Sequence, residues 1–232
     1  MLSGYYINLS DMKDRYKHFE DLKKNNLFFS NIKHFEAIKN KNGSLGCSMS
    51  HYRILNLLLQ EIDNNKKEDY YMVCEDDFFI FNQDNFNEFE KNFNLIKDRD
   101  DWDLITLTPR GKTMQNDTDA YSNNNSNNNS NNNSNTFGFK RITETQTTTA
   151  YIIKRKFIPT LMENLHEGIT NMITHGKTVN KNNTCDQCWK KLQTKYVFLY
   201  HDKVFGGQLP GYSTIEGRVV DYNKRFMNQA NY

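Results

Sequence analysis

Tyr70-Tyr71-Met72-Val73-Cys74-Glu75-Asp76-Asp77-Phe78-Phe79-Ile80 sets three consecutive acids between two apolar runs. A short apolar run bounded by charge reads as a buried strand. Bare carboxylates do not sit in such an interior, because burying an unpaired charge is strongly unfavourable. Either the acids emerge where the strand ends, or a cation meets them. On a strand continuing through them, Glu75 and Asp77 point to one face and Asp76 to the other. Carboxylate oxygens suit hard divalent ions such as Mg2+ or Mn2+. Such an ion can bridge two phosphates of a nucleotide and neutralise them as a leaving group. A solvated acidic loop is the competing reading, and the apolar residues on both sides argue against it.

Upstream, Tyr5-Tyr6-Ile7-Asn8-Leu9 reads as a first strand. A helix to about Lys24 follows, capped by Ser10 or Asp11, with Tyr16, Phe19 and Leu22 on one face. A strand running directly into a helix opens many nucleotide-binding α/β folds. Asn8 stands where it can bond a base or ribose, or close an ordinary turn. Arg15 can reach a phosphate or point into solvent. Residues 32–38 read as a second strand, and a helix from about Leu45 to Glu61 turns Met49, Ile54, Leu57 and Leu58 inward. Small residues at its start, Gly46, Cys47 and Ser50, let it approach a sheet closely.

Downstream, Phe86, Phe89, Phe93 and Ile96 form a helical core stripe. Residues 102–107, 147–153 and 196–200 read as strands, and helices are expected over about 155–165 and from Cys185 toward Leu192. His201 follows the last strand. The glycine-rich segment 205–215 reads as a loop able to fold over a site. Residues 113–136 break the pattern, and from Ser122 the sequence repeats Asn-Asn-Asn-Ser. Such a tract cannot offset its ordering entropy, so it is read as a disordered insertion within a single domain spanning 1–232.

The net charge of +2 gives no footprint for nucleic acid or an anionic membrane. No stretch reads as a signal peptide or a membrane span, so a cytoplasmic protein is expected. The heavy use of asparagine and lysine suits an A/T-rich genome, and a virus-encoded origin stays open. Cys185 and Cys188 have the spacing of a zinc knuckle or redox pair. Cys47 and Cys74 are not spaced as a second pair, so all four cysteines are read as reduced thiols with packing roles.

Four segments in this order resemble glycosyltransferase family 25: Ile7-Asn8-Leu9 with Arg15, residues 43–51, the Glu75-Asp76-Asp77 strand, and Trp102-Asp103-Leu104. Weaker matches are residues 149–153, Asp186, and Gln208 with Ser213-Thr214-Ile215. The resemblance implies a GT-A-like α/β fold, with a mainly parallel central sheet flanked by helices. It implies a metal-dependent hexosyltransferase that takes galactose or glucose from UDP-galactose or UDP-glucose, with Mn2+ or Mg2+. The acceptor would be a hydroxyl on a glycan or protein, as in lipopolysaccharide biosynthesis or collagen glycosylation. By this carry-over Glu75 and Asp77 lie at the metal and diphosphate motif. Asp76 touches ribose or shares the metal, and Asn8 and Arg15 contact the nucleotide. Inversion at the sugar needs a base, and Asp186 is the candidate, with a helix N-cap as its other reading. His201 is a candidate third metal ligand, and His51 has no assigned role. The asparagine tract and the missing acid after Ser213 depart from the family pattern.

Two further readings stand beside the transferase. One is a catalytically silent nucleotide-sugar-binding or scaffold protein of the same fold. The other is a metal-dependent phosphoesterase or nucleotidyltransferase, which gathers acid and histidine ligands from separate strands.

Overall fold

A computed structural model describes residues 2–62, 68–111, 120–122, 136–175, 181–213, 215–223 and 226. Strand β1 (Gly4–Asn8) leads to helix α1 (Lys13–Asn25), strand β2 (Ile32–Glu36) and helix α2 (Gly43–Ile62). The acidic stretch gives β3 (Tyr70–Glu75) and a short β4 (Phe78–Ile80), followed by α3 (Gln83–Ile96). Then come β5 (Leu104–Thr106), β6 (Ala120–Ser122), β7 (Thr136–Arg141), β8 (Ala150–Lys154) and α4 (Ile158–His175). Short helices α5 (Cys185–Cys188) and α6 (Lys190–Gln193) precede β9 (Phe198–His201). The last strands are β10 (Gly206–Gln208), β11 (Gly211–Ser213) and β12 (Arg218–Val220).

Eight strands form one sheet in the order β2-β1-β3-β8-β5-β9-β7-β6. Strands β2, β1, β3, β5, β9 and β6 run one way, and β8 and β7 run against them. Helices cover both faces, which is why β3 and β8 read as unbroken apolar runs rather than alternating ones. The strand period of two still decides the facing side. Met72 and Cys74 join Phe19, Phe86, Phe89 and Phe93 in one core. Tyr71 and Val73 join Ile54, Leu58, Leu161 and Leu165 in the other. Phe89 and Phe93 stack at 5.7 Å between centroids, and each buried phenylalanine contributes about 1.5–3 kcal/mol.

Several expectations are corrected. Strand β3 ends at Glu75, and Asp76-Asp77 form a turn, so the expected alternation of the three acids across one strand does not occur. Neither Ser10 nor Asp11 caps α1: the residue before it is Met12, with no side-chain cap. Leu55, rather than Leu57, is fully buried on α2. Helix α4 continues to His175 because Gly168, Ile169 and Met172 extend its buried face. The glycine-rich tail is partly strand: β10 pairs antiparallel with β4, and β11 with β12. Within the expected insertion, Ala120–Ser122 pair with β7, and most of the asparagine repeat lies outside the described residues. Among the described residues, no helix is long and apolar enough to cross a membrane.

Candidate active site

Ligands of open α/β sheets bind beyond the carboxyl ends of the strands, and the polar residues of this chain collect at that edge. Asn8 ends β1 and Glu75 ends β3. Because β8 runs backwards, the segment leading into it, Thr147-Thr148-Thr149, arrives at the same edge, where Glu75 N donates to Thr149 O at 2.7 Å. Two cavities open here. The smaller, about 370 Å³, is bounded by Asn8, Arg15, Ile38, Gly46, Asp76 and Tyr212. The larger, about 630 Å³, is bounded by Arg110, Gln146, Thr148, Asp186, Gln187 and Gln208, among others. Cys47, Glu75 and Ile215 line both. Gly46 lets α2 press against the smaller cavity, since a Cβ there would stand 2.5 Å from Ile38 O.

The three acids have separate partners. Glu75 faces α2 and β8: its Oε1 is 3.5 Å from His51 Nε2 and accepts from Thr148 Oγ1 at 3.2 Å. Burial would raise the Glu75 carboxyl, but His51, Thr148 and Arg15 outweigh it and hold it below its ordinary range. Asp76 and Asp77 are buried and share Arg15, whose Nη1 lies 3.2 Å from Asp76 Oδ1 and 3.5 Å from Asp77 Oδ2. Asn8 Nδ2 donates to Asp76 Oδ2 at 2.7 Å and to Met12 O at 3.2 Å. Those donors hold Asp76 and the turn into α1. Arg15 Nη2 also donates to Tyr212 O at 3.0 Å, so the tail does fold across this edge.

Asp77 is the least satisfied of the three. Its Oδ1 is buried without a hydrogen-bond partner among the described residues. Burial first, then the nearby Glu75 and Asp76 charges, push its carboxyl well above the ordinary range. An orphaned carboxylate oxygen beside a second acid suits a hard divalent ion, which typically takes one or two carboxylates and completes its shell with waters and phosphate. Among the described residues, the acids do not bring three oxygens within 4.8 Å of one another.

His201 ends β9 at this edge but lines neither cavity, which corrects the expected third metal ligand. It lies on β9, separated from β3 by β8 and β5, or about 14 Å at the usual strand spacing. It sits in the core face of Phe89 and Phe139. Its Nδ1 is 3.0 Å from Lys203 O and its Nε2 is 3.0 Å from Asn92 Nδ2. Asp186 is brought to the larger cavity. It is not the N-cap of α5; Thr184 holds that position. Thr184 Oγ1 donates to its Oδ1 at 2.7 Å and Gln187 Nε2 to its Oδ2 at 3.0 Å.

Sequence reasoning missed Arg110, Gln146 and the threonine run as cavity residues. Thr147 carries the clearest mark of constraint, a φ of 83°, which is unfavourable for a β-branched residue. It is held by Oγ1 donating to Thr108 O at 2.5 Å.

The model of glycosyltransferase family 25 (LPS biosynthesis protein) matches residues 23–174. The chain belongs to glycosyltransferase family 25. No curated protein matches it. Among solved structures, A197 from STIV is similar at 12% identity over 95% of this chain and 93% of its own, with a TM-score of 0.46. A glycosyltransferase involved in the glycosylation of the major capsid of PBCV-1 is similar at 9% identity over 86% and 92%, with a TM-score of 0.41. Mannose-1-phosphate geranyltransferase from Thermus thermophilus is similar at 6% identity over 88% and 60%, with a TM-score of 0.40. The family 25 match covers Glu75, Asp76 and Asp77, α2 and β8, but begins after Asn8 and Arg15 and ends before Asp186 and Tyr212.

Proposed function

We propose that this family 25 glycosyltransferase moves galactose or glucose from a UDP-sugar to a hydroxyl of a glycan or protein, with inversion. The observation that supports this reading is the pair of cavities meeting at Glu75. The smaller takes the nucleoside, between α1, α2 and the Asp76 carboxylate. The larger takes the sugar and the acceptor. Arg15, between the acids and Tyr212, reaches the diphosphate as a charge-assisted donor.

Asp77 would hold Mn2+ or Mg2+ together with Asp76 rather than the expected Glu75, whose Oε1 is engaged by Thr148 and His51; such an ion, when bound, neutralises the diphosphate leaving group. Asp186 is the base. Thr184 and Gln187 fix its carboxylate, and it takes the acceptor proton as the hydroxyl oxygen attacks the anomeric carbon. The bond from that carbon to the diphosphate breaks with its electron pair leaving on UDP. Glu75, tied to His51 and Thr148, forms the wall between the two cavities and orients the sugar.

The test is a thermal-shift screen of UDP-galactose, UDP-glucose and UDP with Mn2+, followed by UDP-release assays with saccharide and peptide acceptors. Stabilisation and turnover with one UDP-hexose are expected. Stabilisation without turnover on any acceptor would identify a silent binding protein. No stabilisation by any uridine nucleotide would refute the donor assignment.

A further inference from the structure

A second cluster of ligand atoms stands behind the wall between the cavities. Cys47 and His51 are one turn apart on α2 and share a face. Cys185 opens α5, and its Sγ lies 3.7 Å from Cys47 Sγ. One ligand atom from each of Cys47, His51 and Cys185 falls within 4.8 Å of the other two. Two sulfurs bound about 2.3 Å from a tetrahedral zinc ion stand about 3.8 Å apart, close to the separation found here.

The surroundings match what such an ion needs. His51 is fully buried. Its Nδ1 is 3.1 Å from Tyr151 Oη, leaving Nε2 to act as the ligand, and Nε2 is buried with no hydrogen-bond partner among the described residues. A ligating histidine characteristically spends its other nitrogen on such an outer contact. Cys185 N donates to Ser48 Oγ at 3.1 Å, and Thr148 Oγ1 lies 3.2 Å from Cys185 Sγ. The first fixes the Cys185 backbone, and the second touches the sulfur itself. The fourth position faces Glu75, whose Oε1 is 3.5 Å from His51 Nε2.

We propose that Cys47, His51 and Cys185 bind a zinc-class divalent ion that clamps α2 to α5. Thiolate and imidazole donors favour zinc over the manganese or magnesium suited to Asp76 and Asp77. Binding displaces the two thiol protons to solvent. The ion holds together two walls of the larger cavity, which Cys47 and Cys185 both line. Cys188 is outside the set: its Sγ donates to Cys185 O at 3.6 Å. The proposal does not rest on the UDP-sugar reading.

The test uses the full chain, purified reduced and without chelator. Metal analysis should find one zinc per chain. Cobalt replacing it should give the sulfur-to-cobalt charge-transfer band and the intense visible bands of a tetrahedral site. Cys47→Ser and Cys185→Ser should each lose the charge-transfer intensity, while Cys188→Ser keeps it. Circular dichroism identifies any variant that fails to fold, and the wild-type cobalt spectrum stands without the variants. Wild-type protein that takes up neither zinc nor cobalt overturns the proposal. So does a Cys47–Cys185 disulfide in the protein as isolated, or loss of the spectrum in a folded Cys188→Ser chain.

Discussion

Replacing Arg15 by methionine tests whether the acidic turn is held by charge. Arg15 is the shared cation of Asp76 and Asp77 and also donates to Tyr212 O. The Arg15 side chain is 20% exposed, and those of Asp76 and Asp77 are 10% and 12% exposed, so the group is buried enough to feel the loss. Breaking a buried pair by removing one partner costs about 3–5 kcal/mol. Two features pull this to the lower end. The Asp77 contact, at 3.5 Å, is long, and both Asp76 and Asp77 already hold their protons more tightly than usual.

A ceiling comes from protonation. If the freed Asp76 takes a proton instead of staying charged, the cost at pH 7 is at most about 4 kcal/mol, from its unfolded pKa of about 3.9. We expect a loss of about 3 kcal/mol at pH 7. Burial already raises the Asp76 carboxyl in the wild type, against the pull of Arg15 and Asn8, and removing Arg15 raises it further. Its penalty is therefore absent below the unfolded pKa and grows as pH rises through the folded one. At pH 5 the ceiling falls to about 1.5 kcal/mol.

The assay is urea unfolding of both proteins at pH 7 and pH 5, with chelator present, read by the fluorescence of buried Trp102 and Trp189. A loss under about 1 kcal/mol at pH 7, or the same loss at both pH values, would refute the view that Arg15 compensates two buried carboxylates.

Asp186→Asn should lower kcat by about 10²- to 10⁴-fold, as expected for a lost general base. Its affinity for the UDP-sugar should not change; loss of binding instead would make Asp186 a donor contact. At Thr147, with its φ of 83°, the Gly variant should be more stable than the Ala variant by about 1–2 kcal/mol, the reverse of the usual order. Differential scanning calorimetry of the two variants checks it. Burial lowers the Lys154 ammonium from 10.5, so its folded pKa lies below its unfolded one. Wild-type stability should therefore rise with pH through the window just below 10.5, and Lys154→Met should flatten that rise in unfolding curves taken across it.

The sheet was legible because burial on both faces writes each central strand as a run of apolar residues, and β1, β3, β5, β8 and β9 all carry one. Direction was not legible in that way. An apolar run looks the same read forwards or backwards, so nothing in residues 147–153 announced that β8 is reversed. That reversal carries Thr147 and Thr148 to the carboxyl edge beside Glu75, which is why they were missed as cavity residues.

Parity explains His201. Residues 198 and 200 face α4, so residue 201 faces α3 and the phenylalanine core; proximity to a strand end says nothing about which side of the sheet is meant. The acid triplet failed by the same rule used too far, since the alternation stops where β3 stops. The cysteines show a different limit. The short spacing of Cys185 and Cys188 suggests a pair, yet α5 is a helix in which Cys188 turns away and Cys185 meets Cys47, 138 residues distant in sequence. Local spacing ranks partners by how cheaply a loop closes. A folded sheet has already brought distant ends together, so once α2 and α5 are packed the long-range partner costs no more than the near one. That is why Cys47 and His51, one helical turn apart, were the more informative pair of residues, although their cluster is incomplete until Cys185 arrives.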